Sequence, residues 1–302
     1  MIRLRFDVSP DETVLRLFHT FVVICAGLLS PNMEDEEKAI LRQPFTFGGL
    51  ASYARAPGYW LAGSALLFAA LLGSSAVWVA HRQWASVIDR AIAGLPAGAV
   101  VEDGRLAWPP RHPAGILAEN RFLSLEVDLE GTPAGNQSDF HVVLGRGSVR
   151  LASLLGYCEI PYPRGWVISL NRAEAEPSWG AWKPACEAAL GVFAGGSFLV
   201  VWAVLAAIYA HPARLLAFFC DRPLDFRGAW KLGVAAQFPG SLVLSGAVCL
   251  YGSARLDLTW LVAALLLHFA VAWLYVPGAV FGLRGPGSRP ENPFAAPSVP
   301  KP

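Results

Sequence analysis

Charged residues are scarce in this chain of 302 residues. Asp, Glu, Lys and Arg together make up 16% of it, against roughly 25% in a typical soluble domain. Basic and acidic residues nearly cancel, which leaves a formal net charge of +1. Because there is no basic surplus to attract phosphate groups, we expect no nucleic-acid partner.

Motifs for metal or nucleophile chemistry are also missing. The five cysteines form neither a CxxC pair nor a Cys/His cluster, which argues against a zinc site. No GxSxG nucleophile elbow occurs, and Gly145-Arg146-Gly147 lacks the third glycine of a dinucleotide-binding loop. The sequence therefore predicts no catalytic, cofactor-binding or metal-binding residue and no cofactor.

Apolar sequence, by contrast, is abundant: 54% of the residues are hydrophobic and the mean hydropathy is +0.43. A helix of about 20 apolar residues crosses a bilayer core of ~30 Å. Four runs without Asp, Glu, Lys or Arg meet that length, at residues 56–80, 188–210, 232–254 and 258–283. We predict an α-helical membrane bundle of four transmembrane helices with an inserted small extracytoplasmic α+β domain.

The positions of the basic residues in the short segments predict the orientation. Cytoplasmic loops carry an excess of Lys and Arg, and residues 211–231 contain four of them: Arg214, Arg222, Arg227 and Lys231. The segment before the first run and the tail are basic as well. Both termini are therefore expected in the cytoplasm.

This topology divides the chain into segments of different character. We predict an interfacial or cytoplasmic segment, an extracytoplasmic domain, an amphipathic cytoplasmic connection and a disordered cytoplasmic tail. In that order they are residues 1–55, 81–187, 211–231 and 284–302. Residues 17–29 are apolar but too short to span the bilayer, and translation from Met1 and from Met33 both stay open.

The inserted segment shows signs of ordered structure. Asp103-Gly104 between two short apolar runs predicts a tight hairpin turn. Gln83–Leu95 has the apolar spacing of a helix, and Phe122–Leu129 alternates as a half-buried strand does. A second hairpin is predicted over residues 141–151. A domain of about 100 residues can bury a core of its own.

Cys158 and Cys186 are the cysteines of this segment. Since the predicted compartment is oxidising, we expect them to form a disulfide. The alternative is a pair of buried free thiols.

Polar residues within the predicted spans are the other candidates for function, because polar groups are costly in a bilayer. Gln237 and Pro239 lie in the third span and His268 near the middle of the fourth. Either they belong to a conduction or proton path, or His268 is neutral and hydrogen-bonded across helices. In the second span, Gly191 and Gly195 have the GxxxG spacing of closely packed helices.

Several short segments resemble an uncharacterised bacterial family of four-span membrane proteins, some of which carry a maltodextrin-utilisation label. The segments are Ile92–Pro96, Val100–Leu106, the strand ending at Val127-Asp128, and Trp230–Pro239. The resemblance implies a bacterial inner (plasma) membrane protein with an extracytoplasmic domain between spans one and two, and it implies no reaction. This chain differs in its long amino-terminal extension and its two cysteines in that domain.

Together these features predict a non-enzymatic, multi-pass membrane protein. Its extracytoplasmic domain would bind a ligand or partner, as a sensor or accessory subunit of an envelope or transport system. Its expected partners are the lipid bilayer and a membrane or envelope protein. One alternative is a small transporter or transporter subunit that uses the Gln237–Pro239 kink and His268. Another is an extracytoplasmic hydrolase.

Overall fold

The computed structural model describes residues 44–131 and 138–283. The choice between Met1 and Met33, most of the predicted interfacial segment and the predicted disordered tail lie outside the described residues. The helices are α1 (Phe47–Tyr53), α2 (Gly58–Val79), α3 (Ala85–Ala93), α4 (Arg172–Phe219), α5 (Phe226–Ala235), α6 (Gln237–Gly252) and α7 (Leu258–Phe281). A π-helix at Ala80–Trp84 connects α2 to α3.

Four helical stretches in the described residues are long and apolar enough to cross a membrane. They overlap the four predicted runs, which confirms the prediction of four long apolar helices. In the stretch formed by α5 and α6, 72% of the most apolar 18 residues are buried, whereas the corresponding share is 17% in α4 and in α7. The third predicted span is therefore the central element of the bundle, and the other helices pack around it.

Helix α4 is much longer than the predicted second span. It has 48 residues, about 72 Å at 1.5 Å per residue, so it extends beyond residues 188–210 at both ends. Its first turn is capped by Asn171, whose side-chain oxygen accepts from the Glu174 N–H at 3.0 Å. The predicted amphipathic connection at 211–231 is consequently the end of α4, a short turn and the start of α5.

The third span is interrupted at Ala236, which separates α5 from α6. Pro239, in the first turn of α6, has no N–H to donate to the carbonyl of Ala235 four residues earlier. This missing donor is the local reason for the interruption.

Between α3 and α4 lie two sheets, which with α3 form the α+β domain. Their strands are β1 (Val100–Glu102), β2 (Arg105–Ala107), β3 (Gly115–Glu119), β4 (Leu123–Val127), β5 (Phe140–Leu144), β6 (Ser148–Ser153), β7 (Gly156–Pro161) and β8 (Val167–Ser169). One sheet has the order β2-β1-β8 and the other β3-β4-β5-β6-β7. Only β4 and β5 pair in parallel; the other neighbours are antiparallel.

Turn residues define the hairpins. Asp103 and Gly104 connect β1 to β2 with φ values of 47° and 75°, the left-handed conformations that a two-residue type I′ turn requires. The strand predicted at Phe122–Leu129 corresponds to β4. The hairpin predicted over residues 141–151 corresponds to β5 and β6, with Gly145–Gly147 in the turn.

Small apolar clusters hold the α+β domain together. Val87 and Ala91 of α3 pack on Ala118 and Leu123 of the larger sheet. A second cluster, around Val101, joins the two sheets. Tyr162 packs against this cluster, and its hydroxyl ties the end of β7 to the β5–β6 turn, because it donates to the Gly145 carbonyl at 3.1 Å. Burial raises the pKa of Tyr162 to about 12, so this donor stays protonated at physiological pH.

The α+β domain is also fastened to α4. Asp89 of α3 accepts from Trp179 Nε1 at 2.6 Å and from Lys183 Nζ at 3.3 Å. Closer to the bundle, His81 Nδ1 lies 2.8 Å from Glu187 Oε1. The first turns of α4 therefore belong to the α+β domain, and the rest of the same helix to the bundle.

The structure corrects the predicted disulfide. Cys158 on β7 and Cys186 on α4 are free thiols, and both are exposed. The expectation rested on their being the cysteines of one segment, but that segment places one on a sheet and the other on a long helix.

Candidate functional site

The α+β domain is anchored to the bundle by Arg121, which lies between β3 and β4. The Arg121 guanidinium donates to the carbonyls of Ala254 at 2.9 Å and Leu256 at 2.7 Å, and it pairs with the carboxylate of Asp257. These carbonyls are available because the chain reverses after α6, where Ala254 has a φ of 58°. One side chain thus donates hydrogen bonds to two backbone carbonyls of the turn between α6 and α7.

Further contacts continue this anchor along the seam. The Tyr251 hydroxyl donates to Asp139 Oδ2 at 2.9 Å, and the Phe122 ring packs edge-on against the Tyr251 ring with centroids 5.0 Å apart. Gln83 Nε2 donates to the Gly252 carbonyl at 2.6 Å. The end of α6 is therefore held both by the α+β domain and by the π-helix that precedes α3.

Beside this anchor lies a polar cleft of about 430 Å³. One wall comes from the α+β domain and the other from the start of α7. The cleft is lined by Arg121, Ser138, Asp139, His141, Ala152, Ser153, Leu154, Asp257, Leu258 and Thr259. It therefore brings one guanidinium, one imidazole, two carboxylates and several hydroxyl groups to the boundary between domain and bundle.

The charged groups of the cleft differ in how far they are already engaged. Asp139 accepts from Tyr251, and Asp257 is paired with Arg121 instead of capping α7. The His141 imidazole lines the cleft and forms no hydrogen bond with another described residue. In the described part of the chain, no group of three or more His, Cys, Asp or Glu residues is positioned to hold a metal ion.

Within the bundle, His268 is fully buried and hydrogen-bonded across helices. Trp202 Nε1 of α4 donates to His268 Nε2 at 3.1 Å. A neutral imidazole that accepts at Nε2 carries its proton on Nδ1. That Nδ1 lies against the backbone of Gly240, but it forms no hydrogen bond of normal geometry with a described residue.

Gln237 is the other buried polar group of the bundle. It is fully buried, and neither its Oε1 nor its Nε2 has a hydrogen-bond partner among the described residues. The Tyr209 hydroxyl lies near this amide, without reaching normal hydrogen-bond geometry. Ser241 and Ser245, one and two turns further along α6, are satisfied by the carbonyls of Phe238 and Ser241.

The predicted site residues therefore do not form one site. Gln237, Pro239 and His268 lie together in the bundle core, where α6 packs against α7. Asp103 and Gly104 lie in a surface turn that does not line the cleft.

Sequence reasoning missed the residues of the cleft. Arg121, Asp139, His141 and Asp257 come from three separated segments, so no spacing connects them. A weak signal is available for Asp257, which precedes an apolar run in the position of a helix cap.

No family model, no curated protein and no solved structure matches the chain. The resemblance to the uncharacterised four-span family stays a prediction.

Proposed function

We propose that this chain is an integral membrane protein that binds a small polar ligand in the cleft between its α+β domain and its bundle. The domain would lie on the extracytoplasmic side of a bacterial inner membrane, with both termini in the cytoplasm. The observation that carries the proposal is the shared lining of the cleft. A ligand bound there touches the strands of the domain and the first turn of α7 at once.

This arrangement suits a sensor or an accessory subunit. Ligand contacts made on both walls stabilise one position of the α6–α7 turn relative to the domain, and a ligand can shift a conformational equilibrium only through such differential contacts. A neighbouring membrane or envelope protein in contact with α7 would then detect the change. The groups present favour a ligand that carries hydroxyl groups or charges of both signs.

A non-enzymatic role agrees with the state of the two carboxylates. General acid–base catalysis requires a titratable group within reach of the reacting atom. Asp139 and Asp257 are instead held by Tyr251 and Arg121. A hydrolase in this cleft would therefore have to use the His141 imidazole instead of a free pair of carboxylates.

The binding proposal is tested with His141→Ala, which removes the imidazole that lines the cleft. Purified protein in nanodiscs is screened by thermal unfolding against maltodextrins and zwitterionic amino acids. We expect at least one compound to raise the unfolding midpoint of the wild type, since ligand at 100 times its Kd stabilises by about 2.7 kcal/mol. The same compound should have a much smaller effect on His141→Ala.

The matched control is His112→Ala, which changes an exposed histidine of the same domain outside the cleft. It should respond to the compound as the wild type does. Equal stabilisation of His141→Ala and the wild type would contradict binding in the cleft.

A small transporter is the second candidate, favoured by the Gln237 amide and His268 Nδ1, which have no hydrogen-bond partner in the part of the chain that the structure describes. Buried polar groups without partners are costly, and in a membrane they mark substrate or proton paths. In that case Gln237→Leu would abolish solute accumulation at unchanged expression, whereas a binding module would tolerate it.

A further inference from the structure

The β6–β7 hairpin ends in an exposed apolar tip, Ser153–Tyr157. Leu154, Leu155 and Tyr157 are 63%, 78% and 77% exposed. Turn residues facing water are normally polar or glycine, but this tip contains no charge, and neither do its flanking residues from Leu151 to Cys158. Two adjacent leucines and a tyrosine at a hairpin end are therefore unexplained by the fold of the domain itself.

The location of the tip indicates what covers it. Leu154 lines the same cleft as Leu258 and Thr259, which are the first residues of α7. Trp260 follows them and is 64% exposed, and aromatic residues at the end of a membrane span lie at the level of the lipid headgroups. The tip thus stands beside the point where α7 enters the bilayer.

We propose that the tip inserts into the lipid headgroup layer at this end of α7, with Leu154, Leu155 and Tyr157 in contact with lipid. Leucine and tyrosine suit this depth, because the first is apolar and the second combines an apolar ring with a polar hydroxyl. The absence of charge from Leu151 to Cys158 removes the groups that are costliest to bring close to hydrocarbon. The partner of this surface is the lipid bilayer itself.

The backbone of the tip is compatible with that depth. The Leu155 N–H donates to Ser153 Oγ at 3.2 Å, and the strands on either side pair from Ser148 with Pro161 to Ser153 with Gly156. The hairpin therefore satisfies much of its own backbone, as a segment at the edge of the hydrocarbon must. Insertion would support the wall of the cleft to which Leu154 belongs, but it does not depend on any ligand there.

The experiment uses the full chain in nanodiscs of phosphatidylethanolamine and phosphatidylglycerol. The native cysteines are replaced by serine, and an environment-sensitive fluorophore is attached through Leu155→Cys. Insertion predicts a blue-shifted emission and strong quenching by lipids that carry a nitroxide near the headgroup. Leu154→Cys provides a second labelled site with the same expected result.

The matched control is Gly147→Cys, in the turn at the opposite end of β6. This strand has six residues, about 20 Å at ~3.3 Å per residue, so the control fluorophore should report water and escape quenching. Equal, weak quenching at Leu155 and Gly147 would overturn the proposal. So would a blue shift at Leu155 without lipid quenching that disappears on dilution with unlabelled protein, since a second copy of the chain would then cover the tip.

Discussion

At the scale of single residues, the bundle core retains a costly amide. Gln237 is fully buried and has no hydrogen-bond partner among the described residues, and a buried polar group without a partner costs about 1–3 kcal/mol. Gln237→Leu, which keeps a similar size and removes both polar atoms, should therefore raise the free energy of unfolding by about that amount. Denaturation of the purified protein in detergent measures the change.

Ser245→Ala is the matched control on the same helix, because the Ser245 hydroxyl is already bonded to the Ser241 carbonyl. It should leave stability nearly unchanged or lower it slightly. If Gln237→Leu is instead destabilising, the amide has a partner in the native protein, such as water or solute. That outcome would strengthen the transporter alternative.

At the scale of elements, α2 and α4 approach so closely that their crossing excludes side chains. A Cβ on Gly73 would lie 2.5 Å from the Gly191 carbonyl oxygen, and one on Gly195 would lie 2.8 Å from that of Ala69. Gly195→Val should therefore force the helices apart and lower stability by about 1–3 kcal/mol. The measurement is the unfolding midpoint in detergent.

Gly196→Val is the control for this crossing, since nothing lies within 4 Å of a Cβ placed on the neighbouring glycine. It should have little effect on stability. Because both variants add the same side chain to the same helix, a difference between them reports the helix crossing. A similar loss of stability in Gly195→Val and Gly196→Val would show that valine in α4, not the crossing, is responsible.

At the scale of the whole molecule, the free thiols report the sidedness of the membrane. Cys158 and Cys186 are exposed on the α+β domain, whereas Cys220 follows the far end of α4. A membrane-impermeant maleimide added to intact cells, after permeabilisation of any outer membrane, should label the first two. Labelling should be lost in the double variant Cys158→Ser/Cys186→Ser and kept in Cys220→Ser. The reverse pattern would invert the proposed topology.

How much could be predicted depended on whether the physical cause was local. The apolar runs, the Asp103-Gly104 turn and the alternation around β4 are properties of neighbouring residues. The small residues at Gly191 and Gly195 are another such property, because close helix contact needs them at one fixed spacing. By contrast, the ends of α4 could not be read from hydropathy, since this helix leaves the apolar run and continues along the α+β domain through Trp179 and Lys183.

The sequence by itself determined that the chain forms four helices long and apolar enough to cross a membrane, and where it forms hairpins. The reason is that length, hydrophobicity and turn conformation act within a few residues. Only the tertiary structure decided that α5 and α6 are central, that Cys158 and Cys186 stay apart, and that Arg121, His141 and Asp257 share a cleft. These features depend on which surfaces come into contact when distant segments pack, and residue spacing along the chain does not specify those contacts.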